Sequence, residues 1–188
     1  DRKGELKGLK KDIFVNALDS KNPRHCAQAL ISLGRLGDAT AAAAILPHAA
    51  APKLAKQPAH NEANPAAVIP HLATRALVAL NSVDTLIDAL DGTHGAAALG
   101  VMKYIHDDKV VAALSARVAK NPDPATLATL VRLYHREGKY TEGWWGTRPD
   151  TSGPYFAREK WSGSAAIETG LKTAFAKAPK ATVDLVKT

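Results

Sequence analysis

The sequence predicts an all-α protein, an α-solenoid of HEAT-like helix pairs. Apolar residues recur at helical spacing along most of the chain, and strand-like alternation is hard to find. The apolar stripes are short and separated by tight turns. Alanine contributes 36 of the 188 residues, and small side chains let neighbouring helices approach closely. Because a short helix cannot bury its stripe alone, successive pairs are expected to stack. A four-helix bundle, the competing arrangement, usually has longer helices.

Composition narrows the class of protein further. With 46% hydrophobic and 23% charged residues, the chain resembles neither a disordered nor a membrane protein, and no apolar run approaches the ~20 residues that span a bilayer. The net charge of +7 suggests an anionic partner, but acidic residues interleave with the basic ones and there is no basic block. The polar start at Asp1, without Met or an apolar signal core, indicates a mature or excised segment.

The first two helices are placed by apolar spacing and by a proline. The first is predicted from about Leu6 to Leu18. The second begins at Pro23, because proline suits the first helical position, and Gly34 and Gly37 mark its end. A short alanine-rich helix, capped by Thr40, is expected to follow.

Proline density changes the pattern between residues 47 and 70. Five of the eleven prolines lie there, and proline disrupts helix interiors. We therefore predict an irregular insertion over 47–70, with at most one helical turn.

Further helices are predicted on both sides of clear turns. Helical spacing resumes near Ile69 and continues after the turn at Asn81. Two more apolar stripes at helical spacing predict two further helices before the turn at Pro124. Asp123 is expected to cap the helix that follows this turn. Ser164 is expected to cap a final helix, so that residues 164–188 close the end of the stack.

Two segments resemble the second helix of a HEAT repeat. The segment from Arg24 to Asp38 (RHCAQALISLGRLGD) has the typical Arg, then Ala, then Leu-Gly, then an Asp after the turn. The segment from Thr74 to Asp84 (TRALVALNSVD) is a weaker copy, with Asn81 where Gly is usual. The resemblance implies helical repeats over residues 1–137, and it is uninformative about activity.

Residues 138–163 break the helical pattern and form an aromatic loop. Seven of the ten aromatic residues, including all three tryptophans, lie between Tyr134 and Trp161. Pro149 and Pro154 restrict their neighbours to extended conformations, so this loop is expected to be ordered and hairpin-like. Aromatic faces can bind sugar rings or stack on bases, and an arginine can pair with a carboxylate or phosphate. The candidate binding residues are Trp144, Trp145, Arg148, Asp150, Tyr155 and Trp161.

A structural role for the same aromatic residues is the main alternative. In it the rings fold back over the last helix pair, and Arg148 forms an internal ion pair with Asp150. Large aromatic side chains in a chain with few of them are most often buried.

The aromatic loop also carries the closest family resemblance. The segment from Trp144 to Tyr155 (WWGTRPDTSGPY) resembles a motif of large bacterial proteins that join a sugar-dehydrogenase-like β-propeller, HEAT repeats and a c-type cytochrome domain. The segment from Leu133 to Glu137 and Trp161 are similar as well. A c-type haem needs Cys-x-x-Cys-His, and this chain has only Cys26. The resemblance therefore implies a helical module without haem, between the redox or carbohydrate-handling domains of a larger exported or periplasmic protein, for which oxidoreductase activity is one expectation.

No catalytic constellation is found in the sequence. Phosphate-binding glycine motifs and a Gly-x-Ser-x-Gly elbow are absent, and no two histidines share a helix at metal-ligand spacing. The histidines are expected to be solvated or bonded at helix ends, and Cys26 to be a small buried hydrophobe. We therefore predict no enzyme activity in this segment, no cofactor and no metal.

The predicted function is a scaffold whose aromatic loop docks a neighbouring domain or a partner protein. One alternative is a HEAT-like DNA-binding protein or DNA glycosylase, which would use the basic charge together with Trp144, Trp145 and Asp150. The other is a carbohydrate-binding module that uses the loop aromatics. Salt-dependent duplex binding and oligosaccharide binding distinguish these alternatives.

Overall fold

The computed structural model describes residues 10–52, 65–140 and 156–177. Most of these residues are helical, which confirms the predicted all-α class, and the described strands form one two-stranded sheet. The chain divides into two compact units, Asp1–Ile105 and His106–Thr188. Within the described ranges, every helix is too short or too polar to cross a bilayer.

The described helices and strands occur in the following order. The first unit contains α1 (Lys11–Leu18), α2 (Pro23–Leu36), α3 (Ala42–Ile45), α4 (Val68–Leu80), α5 (Val83–Asp88) and α6 (Gly95–Met102), with 3-10 turns at Ala39–Ala41, Leu46–Ala49 and Pro65–Ala67. The second unit contains α7 (Asp108–Lys120), α8 (Pro124–Leu133), β1 (Arg136–Tyr140), β2 (Phe156–Glu159) and α9 (Ser164–Lys177).

In the first unit, α2 packs against both α1 and α4. A Cβ added at Gly34 would lie 3.1 Å from the Cα of Ala76, so glycine permits the close approach of α2 and α4. Beyond the two helix ends, the Ser82 hydroxyl donates a hydrogen bond to the Ala39 carbonyl. These two contacts show that α2 and α4 run side by side in the same direction. The largest fully buried side chains of this unit are Leu30, Leu33, Ile45, Leu77, Leu86, Val101 and Met102.

Three predicted features of the first unit are corrected by the structure. Lys10 has extended backbone, so α1 begins at Lys11, and the predicted start at Leu6 lies outside the described residues. Asp38, not Thr40, caps the turn after α2, because its carboxylate accepts the Thr40 amide at 3.0 Å. The predicted insertion over 47–70 extends too far, since α4 begins at Val68, and residues 53–64 of it lie outside the described residues. Pro70 fits the first turn of α4, where backbone amides have no intrahelical acceptor.

In the second unit, α7, α8 and α9 pack around one core. The Lys177 ammonium donates to the Ala119 carbonyl at 2.9 Å, and the Ser162 hydroxyl donates to Asp108 at 3.4 Å. Because Ser162 precedes α9 and Lys177 ends it, α7 and α9 run in the same direction. The fully buried side chains include Leu114, Leu127, Leu130, Leu133 and Ile167.

A β-hairpin stem separates α8 from α9. Strands β1 and β2 are antiparallel, with Arg136 opposite Glu159 and Glu137 opposite Arg158, and the register shifts before Tyr140. Opposite charges across a strand pair favour this register. Antiparallel pairing is thus present in the stem, while Pro149 and Pro154, on which the expected hairpin-like arrangement is based, lie outside the described residues. The strands of the stem are mainly polar and exposed, so they lack the alternation that identifies a half-buried strand.

Candidate functional site

The candidate site is the base of the aromatic loop. Of the six predicted binding residues, Trp161 lies in the described part of the chain. The other five, Trp144, Trp145, Arg148, Asp150 and Tyr155, lie outside the described residues. The geometry of the site is therefore built from the stem and from the side chains that hold it.

Three consecutive backbone carbonyls at the end of α8 each accept a hydrogen bond from a side chain. The Trp161 indole N–H donates to Leu133 at 2.7 Å, and the Ser164 hydroxyl donates to Tyr134 at 2.7 Å. The His106 Nε2 donates to the carbonyl of His135 at 3.0 Å. We call the three donors Trp161, Ser164 and His106 the α8 clamp. The clamp satisfies carbonyls that a helix end leaves without intrahelical partners, directly before β1 begins.

Trp161 is the packing centre of the α8 clamp. Its ring lies edge-on to His106, with centroids 5.2 Å apart and planes at 81°. The ring also covers Gly163, where an added Cβ would lie 2.5 Å from the indole carbon Cη2. Trp161 is only partly exposed, and it binds the end of α8. This is the position that the structural alternative expects for the aromatic residues.

Ser164 has a different role from the predicted one. It is the first residue of α9 and does not cap this helix from outside. Its hydroxyl accepts the Trp161 amide at 2.9 Å and donates to the Tyr134 carbonyl. Ser164 therefore joins the start of α9 to the end of α8, on both sides of the hairpin stem.

The surface beside the α8 clamp carries paired charges. The Lys172 ammonium lies 2.8 Å from Glu168 and lowers the pKa of that carboxyl group. The hydroxyl of Tyr134 donates to Glu168 at 3.4 Å. Lys160 lies 5.4 Å from the Tyr134 ring centroid, and its pKa is raised by the Tyr134 hydroxyl. Each of these shifts stabilises the charged form of its group.

Metal-ligating and nucleophilic side chains also occur away from the α8 clamp, within residues 10–52, 65–140 and 156–177. No group of three or more His, Cys, Asp or Glu side chains in these ranges is placed to hold a metal ion. Cys26 is buried, 4.0 Å from the Nδ1 of His48. Burial, followed by the charge of Asp19, raises the pKa of the Cys26 thiol. A thiol with a raised pKa is a weak nucleophile at neutral pH.

A shallow groove of about 700 Å³ lies between α7 and α9. Its lining includes the small side chains of Ala112, Ser115, Ala116 and Ala166, with Asp108 at one end. Among the described residues that line this groove, Asp108 is the one with a titratable side chain.

Two residues of the site were not identified from the sequence. The sequence predicts histidines bonded at helix ends in general, but it does not connect His106 with the end of α8, 29 positions away. Gly163 carries no local signal, since its role depends on the ring of Trp161 lying over it.

Comparisons with known proteins give no match to this chain among family models, curated proteins or solved structures.

Proposed function

We propose that this chain is a non-catalytic interaction module. In this proposal the helices stack as HEAT-like pairs of an α-solenoid, and the aromatic loop between β1 and β2 docks a neighbouring domain or a partner protein. The observation that carries the proposal is the α8 clamp, which fixes both ends of the hairpin stem: β1 follows His135, and Trp161 follows β2 after a single residue.

A fixed stem favours binding for an energetic reason. Association costs about 0.5–1.5 kcal/mol for each flexible side chain that it immobilises, together with the ordering of loops. A stem held by three side-chain hydrogen bonds has already lost much of that freedom. The loop sequence supplies Trp144, Trp145 and Arg148, and Trp and Arg are enriched among the residues that dominate interface energies.

The first experiment places a photo-reactive amino acid at position 144 or 145 of the full chain, in cells that produce it. The matched control carries the same group at Val68, which is 49% exposed on α4 in the other unit. We expect one protein to be cross-linked from positions 144 and 145 and not from position 68. Equal cross-linking from all positions would count against the aromatic loop as a docking element.

The second experiment uses the purified cross-linked protein as the probe. The triple variant W144A/W145A/R148A is expected to bind it at least about tenfold more weakly than the wild type, a loss of about 1.4 kcal/mol or more. Circular dichroism should show unchanged helicity. If the variant instead loses its helical signal, the aromatic loop is a structural cover for the helices and the proposal fails.

A further inference from the structure

The charged side chains of α2 and α4 are all basic. Neither helix contains Asp or Glu. Six basic or histidine side chains of these helices and of the turn before α2 are exposed, those of Lys21, Arg24, His25, Arg35, His71 and Arg75. We call five of them, Lys21, Arg24, Arg35, His71 and Arg75, the basic face. In the linear sequence they are scattered, and only the packing of α2 beside α4 brings them onto neighbouring helices.

Helix geometry places the arginines of α2 on one side. Arg24 and Arg35 are eleven residues apart, which is close to three full turns and about 16 Å along the axis. The buried residues Leu30 and Leu33 occupy the opposite side of α2. On α4, His71 and Arg75 are one turn apart and exposed, opposite the buried Ala73 and Leu77. Since the two helices run in the same direction, the basic face forms two adjacent rows.

Acidic side chains of the first unit lie on other elements. Among its described residues they are Asp12, Asp19, Asp38, Asp84, Asp88 and Asp91, in α1, in α5 or in turns. Asp38 is paired with Lys11 and also bonds Thr40, and both interactions lower the pKa of its carboxyl group, Thr40 more strongly. Acidic side chains thus lie outside α2 and α4 themselves.

We propose that the basic face binds the phosphate backbone of duplex nucleic acid without reading its sequence. Guanidinium groups match phosphate oxygens in geometry and charge, and a row of them along a helix follows a regularly charged polymer. Val68, 49% exposed, lies two turns before Arg75 on the same side of α4, and it is the apolar side chain that an acidic protein partner could use as an anchor. Competition with polyglutamate therefore separates such a partner from a duplex. With two or three phosphate contacts, the interaction is weak and depends strongly on salt.

The test measures fluorescence anisotropy of a labelled DNA duplex of about 20 base pairs with the full chain at increasing salt. Two or three neutralised phosphates give a slope of about −2 to −3 for the logarithm of the binding constant against the logarithm of salt concentration. Arg24→Gln and Arg75→Gln are each expected to bring this slope about one unit closer to zero. The matched control is Arg132→Gln, an exposed arginine on α8 in the other unit, which should leave the slope unchanged.

Three results would overturn the proposal. The first is no binding at low salt by a chain whose circular dichroism is helical. The second is an equal effect of Arg132→Gln, which would show that net charge alone attracts the duplex. The third is displacement of the duplex by polyglutamate at equal charge concentration, which would indicate an acidic protein as the partner.

Discussion

Helices α2 and α8 end in different ways, although both belong to helical units with buried leucine cores. Helix α2 ends at Gly37, which has a left-handed backbone (φ 76°) and donates its amide to Leu33 at 3.2 Å. Helix α8 continues into Tyr134 with helical backbone angles, and its last carbonyls are bonded by side chains 28 to 30 positions away. The end of α2 is therefore determined locally, while the end of α8 depends on the fold of the whole unit.

The largest expected effect comes from removing the centre of the α8 clamp. Trp161→Ala removes the ring and the donor to Leu133, a residue with no exposed surface, and should lower the free energy of unfolding of the second unit by about 3 kcal/mol. Trp161→Phe keeps most of the ring and should cost about 1–2 kcal/mol, through the unsatisfied carbonyl. Chemical denaturation measures how much unfolding free energy each variant loses, and hydrogen exchange should locate both losses in residues 106–177. If Trp161→Phe costs nothing, the indole hydrogen bond is not required.

The next largest effect depends on whether the side chain that lies beside a glycine can move away when the glycine is replaced by alanine. Gly163→Ala places a methyl group 2.5 Å from the indole of Trp161, so the ring must move, at a cost of about 2 kcal/mol. Gly138→Ala is the matched control in the hairpin stem, where the three atoms nearest to the added carbon all belong to the side chain of Glu159. Because Glu159 can rotate away, that cost should stay below about 0.5 kcal/mol. Thermal unfolding of both variants tests the difference, and equal losses would contradict a special role for the Trp161 ring.

The contrast between the locally determined end of α2 and the end of α8, which depends on remote residues, explains which features the sequence could predict. The bounds of α2, the Asp123 cap and the turn at Asn81 follow from residues within a few positions of each other, and the structure confirms them. The α8 clamp could not be predicted, because its donors are remote in sequence and Ser164 also carries a local helix-cap signal. The basic face was missed for a similar reason, since Arg24 and Arg75 become neighbours only through the packing of α2 on α4.

A smaller effect tests the local end of α2. Gly37→Ala introduces no steric contact within 4 Å, so its cost of about 1 kcal/mol arises from the left-handed backbone alone. Gly100→Ala on α6 also meets nothing within 4 Å, but its backbone is helical. That control should stabilise the first unit by about 0.5–1 kcal/mol, because alanine favours a helix over glycine. Opposite signs in equilibrium unfolding are expected, and a loss for both variants would contradict this account.

The smallest expected effect concerns the starts of α2 and α8. The side chain that caps α2 is neutral, while the side chain that caps α8 is charged. Asn22 caps α2 by accepting the Arg24 amide at 3.0 Å. Asp123 caps α8 by accepting the Thr126 amide at 2.9 Å. Burial opposes ionisation of Asp123, but the bonds from Thr126 and the charge of Arg117 outweigh it and lower its pKa.

A lowered pKa in the folded state means that the stability contributed by Asp123 is present above its ordinary pKa of about 3.9 and is lost as the pH falls through the folded value. Asp123→Asn retains a good cap and should change stability by less than about 1 kcal/mol at neutral pH. Between about pH 5 and pH 2.5 the wild-type second unit should lose more stability than the variant. Hydrogen exchange at the start of α8 measures this loss, with the start of α2 as the internal reference. Parallel acid profiles for wild type and variant would show that the Asp123 carboxylate adds nothing beyond what a neutral cap provides.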